Sequence, residues 1–294
     1  MFAAKSTGGL MDTVQELTAE ARDVQAVGVQ RGAYLLELSL DWIVLRASEN
    51  VHRLLGESHV TLIEEPLGRF VHSQALHDLR NLFSRLSGTT GIGRAYGIRL
   101  TDDPDLVDVA FHVSDGRVLL EAVPTTGAFG ECFGSVGGLV SGLAQAHGQA
   151  LLDNAARRMR ALTGYDRVTL FCGKERAESS RGAFPTTATI DPDLPAIVAD
   201  TEADPVALFP RDTEDSSADD AMMRSCSTEI RAQLAKEGVR ASLRVPFKSD
   251  GIEGEFRCDS RTSRDTSFEL HAAAELYAQL FAMRLEIDRL KTAD

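Results

Sequence analysis

The chain has 294 residues, 43% of them hydrophobic and 26% charged, with nine prolines; this length predicts two domains of ordinary size, and the composition excludes a disordered chain. A formal net charge of −13 argues against nucleic acid and anionic lipid as partners, since both call for clustered Lys and Arg, and leaves proteins and small molecules. No run reaches the roughly 18 apolar residues of a membrane span, and residues 1–10 lack the basic and apolar regions of a secretory leader, so a cytoplasmic location is expected.

Residues 1–23 read as a leader, and 11–25 carry helix formers that lead into the first domain, with Asp12 and Thr13 as caps. Residues 33–38 and 42–45 read as short strands, and 48–55 as helical. Three β-rich segments follow at 95–100, 108–114 and 117–122, the last two joined by Asp115-Gly116, a strong hairpin signal. A first α+β domain with an antiparallel sheet is therefore expected over 24–130. Residues 125–138, rich in Gly, Thr and Phe, read as an inter-domain stretch.

The second domain is expected over 138–290. Residues 140–163 read as one long helix and 167–171 as an opening strand. Residues 172–217, with five prolines and many Asp, Ser and Thr, read mostly as loop. A helix over 228–237 ends at Gly238, as a residue just past a C-cap would end it. Strands at 241–247 and 254–258 flank Asp250-Gly251, a second hairpin turn. The terminal helix, about 267–290, is the clearest element. Its Ala273, Leu276, Leu280, Met283, Ile287 and Leu290 are spaced 3, 4, 3, 4, 3 like a coiled-coil seam, which predicts a homodimer through this helix. The bland alternative is a helix covering its own sheet, and the two readings stand side by side.

The four cysteines, Cys132, Cys172, Cys226 and Cys258, form no CxxC pair, and the seven histidines are scattered, so no metal site is expected. The glycines of 91–97 precede a strand instead of opening a helix, which makes a poor nucleotide loop, and no GxSxG, HExxH or P-loop pattern occurs. No catalytic residue has a candidate. The chain does not read as an enzyme.

These segments resemble the input half of bacterial phytochromes. Val29-Gln30-Arg31-Gly32 before Tyr34-Leu35-Leu36, then Ala47-Ser48-Glu49-Asn50, Leu54-Leu55-Gly56 and His112-Val113-Ser114-Asp115-Gly116, resemble the phytochrome PAS domain in order and spacing. Leu162-Thr163-Gly164-Tyr165-Asp166-Arg167-Val168 and Pro205-Val206-Ala207-Leu208-Phe209-Pro210 resemble its GAF domain. Met223-Arg224-Ser225, Gly238-Val239-Arg240-Ala241-Ser242-Leu243 and Asp250-Gly251 continue that series. The resemblance implies a PAS domain followed by a GAF domain, each an antiparallel sheet flanked by helices, with a long C-terminal helix. It also implies a figure-of-eight knot in which the segment before the first domain threads a loop of the second.

The same resemblance implies a bilin pocket whose residues are largely replaced. No cysteine precedes Cys132, and the family's GAF Cys-His pair matches Glu229 and Ile230. A second pocket histidine matches Asp259, the pyrrole-binding aspartate matches Ala188, and the pocket tyrosine matches Phe171. Arg224 keeps its place as a propionate cation, with an ordinary surface arginine flanking the helix as the alternative reading. Phe171, Ala188, Arg224, Ser227, Ile230 and Asp259 are thus the ligand-pocket candidates. The function expected is a non-catalytic sensory input module, degenerate in its bilin-binding residues and without a cofactor, acting on an output domain or signalling partner. The first alternative is a photoreceptor that binds biliverdin non-covalently, with Arg224 on a propionate. A sensor of another small molecule, or a partner-binding scaffold, is the second.

Overall fold

Two antiparallel sheets result from these strand signals, and one strand joins a sheet far from its sequence neighbours. The computed structural model describes residues 28–86, 91–127, 130–211, 217–249 and 251–293; the leader helix expected at 11–25 and Asp250 of the second turn lie outside them. The N-terminal strands are β1 (Gly28–Val29), β2 (Tyr34–Leu38), β3 (Val44–Ser48), β4 (Gly93–Ile98), β5 (Val107–Ser114) and β6 (Arg117–Pro124). β5 and β6 meet at Asp115 and Gly116, both at positive φ (47° and 75°), as a type I′ hairpin turn requires. Strict alternation along β6 turns Val118, Leu120 and Ala122 toward a core completed by Leu62 and Leu79 from short helices. Leu119 and Val123 face the other way and join the core of the second half.

The second sheet has the order β8-β7-β12-β11-β9, with β7 at Arg167–Cys172, β8 at Glu175–Ser180, β9 at Ile197–Val198, β11 at Ala241–Ser249 and β12 at Ile252–Ser260. Val168, Leu170, Leu243, Val245, Phe256 and Cys258 fill its apolar face. The terminal helix, Phe268–Ala293, covers that face and stacks Tyr277 and Phe281 edge-on against Phe256. Tyr277 Oη donates to Ala155 O at 3.2 Å, which ties it to the helix Gly148–Thr163 and satisfies a buried hydroxyl. Among the described residues no helix is long and apolar enough to cross a membrane.

Three expectations need correction. Residues 140–163 are two helices, Glu131–Ser141 and Gly148–Thr163, so part of the expected inter-domain stretch is helical. The corner uses a glycine where the backbone turns left-handed: Gly148 has φ 52°, a conformation that side chains beyond glycine rarely adopt. The second strand runs later than expected, because Trp42 has φ 67° and regular pairing resumes at Val44. Finally, the polar stretch 172–217 contains β8, β9 and β10 (Val206–Phe209). Tertiary pairing overrides its loop-like composition.

β10 is what makes the halves inseparable. It pairs with β1 on one side and β3 on the other, completing a seven-stranded sheet ordered β1-β10-β3-β2-β6-β5-β4. Gln30 pins the start of the chain to the same region. Its Nε2 donates to Ile197 O at 2.6 Å and Arg224 O at 3.1 Å, while its Oε1 accepts from Ala199 N–H at 2.8 Å.

The terminal helix carries two apolar faces. Ala273, Tyr277, Ala278, Phe281, Ala282 and Leu285 are buried against its own sheet, so Ala273 belongs to the core and not to the heptad seam. Leu276, Met283, Ile287 and Leu290 are 44, 52, 48 and 64% exposed, with Leu280 half-buried between them. The bland alternative and the seam thus describe different faces of one helix.

Candidate functional site

The second sheet turns its other face toward a loop and a short helix, and that face is charged. Period-2 alternation brings Arg167 and Thr169 of β7, Arg257 and Asp259 of β12, and Ser242 of β11 to this side, where Arg167 pairs with Asp259 and Thr169 with Arg257 in register. Residues 181–196 and helix α6, Thr228–Lys236, count as its cover. Glu237, just past the end of α6, completes the set. Here α6 is counted after the helices His52–Leu55, His59–Leu62, Ser73–Ser84, Glu131–Ser141 and Gly148–Thr163.

Arg167, Arg257, Glu237 and Asp259 are all buried to within 1%. Arg167 Nε and Nη2 donate to Asp259 Oδ2 at 3.0 and 2.7 Å. Arg257 Nε donates to Asp259 Oδ1 at 3.0 Å, and its Nη2 donates to Glu237. Ser242 Oγ adds a bond to Asp259 Oδ1 at 3.0 Å, and Gln233 Nε2 and Thr189 Oγ1 donate to Glu237 Oε1 at 2.8 and 3.1 Å. Two cations and two carboxylates balance, as burial of charge demands. The remaining guanidinium donors reach the covering loop: Arg167 Nη1 to Thr186 O and Arg257 Nη1 to Thr189 O, both at 2.7 Å. Phe184 lies over Arg167, with the guanidinium carbon 4.1 Å from the ring centroid, a cation–π contact.

The six pocket candidates divide around this tetrad. Asp259 is at its centre. Ala188 is buried between the two carbonyls that the arginines bind. Ser227 is the N-cap of α6, its Oγ accepting from Ile230 N–H at 3.2 Å, and Ile230 is buried with Leu194, Val198, Cys226, Leu234 and Val239. Arg224 is half-buried and turns its guanidinium to Asp193 O. Phe171 lies two rows along the sheet from Arg167, opposite Glu255, where the Arg176 guanidinium carbon lies 5.3 Å from its ring centroid. The structure therefore places Asp259 within the tetrad and Ala188 in its covering loop, Ile230 in the apolar cluster beneath α6, and Phe171 apart.

Arg167, Arg257 and Glu237 complete the tetrad, and none of the three is among the pocket candidates. Their signal was alternation: both arginines occupy polar positions in strands whose intervening residues are apolar, a pattern that ordinarily marks a solvated face. A cleft of about 50 Å³ lies between Gln30, Ala199, Ser225 and Cys226, with no tetrad residue in its lining, and it is far below the several hundred Å³ of an ordinary ligand pocket. Burial pushes the Cys226 thiol up to about 11, away from the thiolate that a reactive cysteine needs.

No protein-family model and no curated protein matches this sequence. Solved structures do match. The chromophore-binding domain of *Stigmatella aurantiaca* phytochrome P1 superposes with a TM-score of 0.70 at 22% identity, over 90% of this chain and 99% of that one. The chromophore-binding domain of RpBphP3 from R. palustris, described as an unusual bacteriophytochrome, gives 0.70 at 21% identity over 91% and 98%. The fold is that of a bacteriophytochrome chromophore-binding domain. The match to the larger photosensory core module of the *Stigmatella* phytochrome has a TM-score of 0.72 and covers 89% of this chain but 58% of that module.

Proposed function

We propose that this chain is a non-catalytic signal-input module of the PAS–GAF type in which a charged tetrad replaces the chromophore as the filling of the second domain. One observation carries the reading: Arg167, Arg257, Glu237 and Asp259 are buried, balanced in charge and bonded to the covering loop at Thr186 and Thr189. Their polar atoms are spent on one another and on main-chain carbonyls, so a bilin would have to displace bonds that already satisfy buried charges. The residues do not fit the group. Ile230 supplies no hydrogen bond, Ala188 supplies no carboxylate, and Asp259 is committed to two arginines.

The proposal extends to assembly. The exposed apolar face of Leu276, Met283, Ile287 and Leu290, continued by half-buried Leu280, suits a second copy of the same helix, with a signal passed along the pair to an output partner. The pairing of β1 with β10 and the grip of Gln30 on Ile197, Ala199 and Arg224 support the knotted passage that the family resemblance implies.

Purified protein mixed with biliverdin and scanned from the near ultraviolet to the far red tests the reading. The expected result is the spectrum of free biliverdin, unchanged by illumination and lost on desalting. A red-shifted, photoconvertible band that survives desalting overturns it and reinstates Arg224 as a propionate partner.

A further inference from the structure

Away from the tetrad, one buried carboxylate stands at the junction of the two halves. Glu121 on β6 is fully buried. Register places Arg94 of β4 on the same face, with only Ala110 of β5 between them. Both carboxylate oxygens accept from consecutive main-chain amides of the second half: Met222 N–H at 2.9 Å on Oε1 and Met223 N–H at 2.7 Å on Oε2. The same residues embrace the start of the chain, since Gln30 N–H donates to Met223 O, Ser225 N–H to Gly28 O and Ile197 N–H to Met222 O. Arg94 does not pair with Glu121. Its guanidinium reaches Glu275 at 2.7 Å and His271 Nδ1 at 3.0 Å. Among the described residues, Glu121 is a buried carboxylate bonded to amides alone.

We propose that Glu121 is a proton-operated catch between the halves: its occupancy by one proton sets how firmly residues 217–227, with the Gln30 crossing they enclose, dock on the first sheet. An ionised carboxylate offers acceptors to both amides, whereas the neutral acid turns one oxygen into a donor beside an N–H. Burial nevertheless outweighs the amides of Met223 and Met222 and the charge of Arg94, and pushes the carboxyl up to about 7. Released into water, the same group would titrate as an ordinary carboxylate. Docking is then strongest with the proton on, and it weakens as pH rises from the ordinary range toward 7.

Two histidines at this junction act with the opposite sign. His112 on β5 faces Asp220, and His271 on the terminal helix faces Arg94 and Glu275. Burial pushes both histidines down, so each favours docking as pH rises. Asp220 accepts from Ser114 Oγ, and Arg224 turns away to Asp193 O. A loss of docking with rising pH is therefore the signature of Glu121.

Hydrogen exchange of the full chain between pH 5 and 8, corrected for intrinsic exchange, reads this directly at the Met222 and Met223 amides. Protection is expected to fall about tenfold per pH unit up to pH 7 and then level off, and the slope should vanish in Glu121→Gln. A second measurement needs no variant: side-chain carboxyl carbons followed by NMR should show one glutamate with a midpoint near 7. Flat or rising protection in the unaltered protein, or glutamates that all titrate at about 4 to 5, overturns the proposal.

Discussion

Arg167 and Asp259 face each other across β7 and β12, and two nitrogens of the one guanidinium close on a single oxygen of the other, at 3.0 and 2.7 Å. Neither residue touches solvent. Removing either charge leaves the other buried without its partner, which costs about 3–5 kcal/mol, whereas replacing a buried pair by apolar groups of similar volume is often neutral. Asp259→Ala should therefore lower the free energy of unfolding in urea by that amount. Joint replacement of Arg167, Arg257, Glu237 and Asp259 by apolar residues should restore most of it.

Gln30 makes a comparable prediction for the interlock. Gln30→Leu strands Ile197 O and Ala199 N–H, each worth about 1–3 kcal/mol when left unsatisfied. The expected outcome is faster proteolytic nicking within residues 197–225 at a protease concentration that leaves the unaltered chain intact.

The terminal helix predicts an oligomeric state. Ile287 is 48% exposed on the apolar face that its own sheet does not use, so Ile287→Asp should leave the secondary structure seen by circular dichroism unchanged while halving the mass measured by light scattering. An unchanged mass would remove the dimer from the proposal.

Acid stability should depend on Asp166. Burial opposes its ionisation, but the Arg261 amide and the Arg181 and Arg261 side chains outweigh that and hold the carboxyl below its usual range. A depressed carboxylate stabilises the fold above its unfolded pKa and loses that contribution as pH falls through the folded one. Asp166→Asn should thus be less stable than the parent by about 1–2 kcal/mol at pH 6, as hydrogen bonds to a charged acceptor imply. The difference should close below the ordinary carboxylate range.

Capping gives the simplest test. Ser227 Oγ accepts from Ile230 N–H, and Ser227→Ala should cost about 1 kcal/mol in thermal or urea unfolding.

Local chemistry made much of this legible from sequence. Asp115-Gly116 marked a turn because few residues accept the positive φ that the hairpin needs, and Gly238, at φ 70°, ended α6 for the same reason. The heptad spacing marked an apolar face, and the remaining apolar residues of that helix marked a second one. Long-range pairing was not legible. β10 reads as a proline-flanked loop until β1 and β3 receive it, and Arg167 and Arg257 read as solvated until residues 181–196 close over them. Alignment to a family pocket drew attention to Ile230 and Ala188, where polar groups are missing, and away from Glu237, which neutralises the buried charge.

The borrowed strand has a consequence for biosynthesis. While the first half leaves the ribosome, β3 is an open edge whose amides and carbonyls facing away from β2 have no neighbour, and they stay so until residues 206–209 emerge and insert. Unpaired edges invite association with other chains, so this interval is when a chaperone would protect the nascent chain. Expression of the first half alone would prolong it indefinitely.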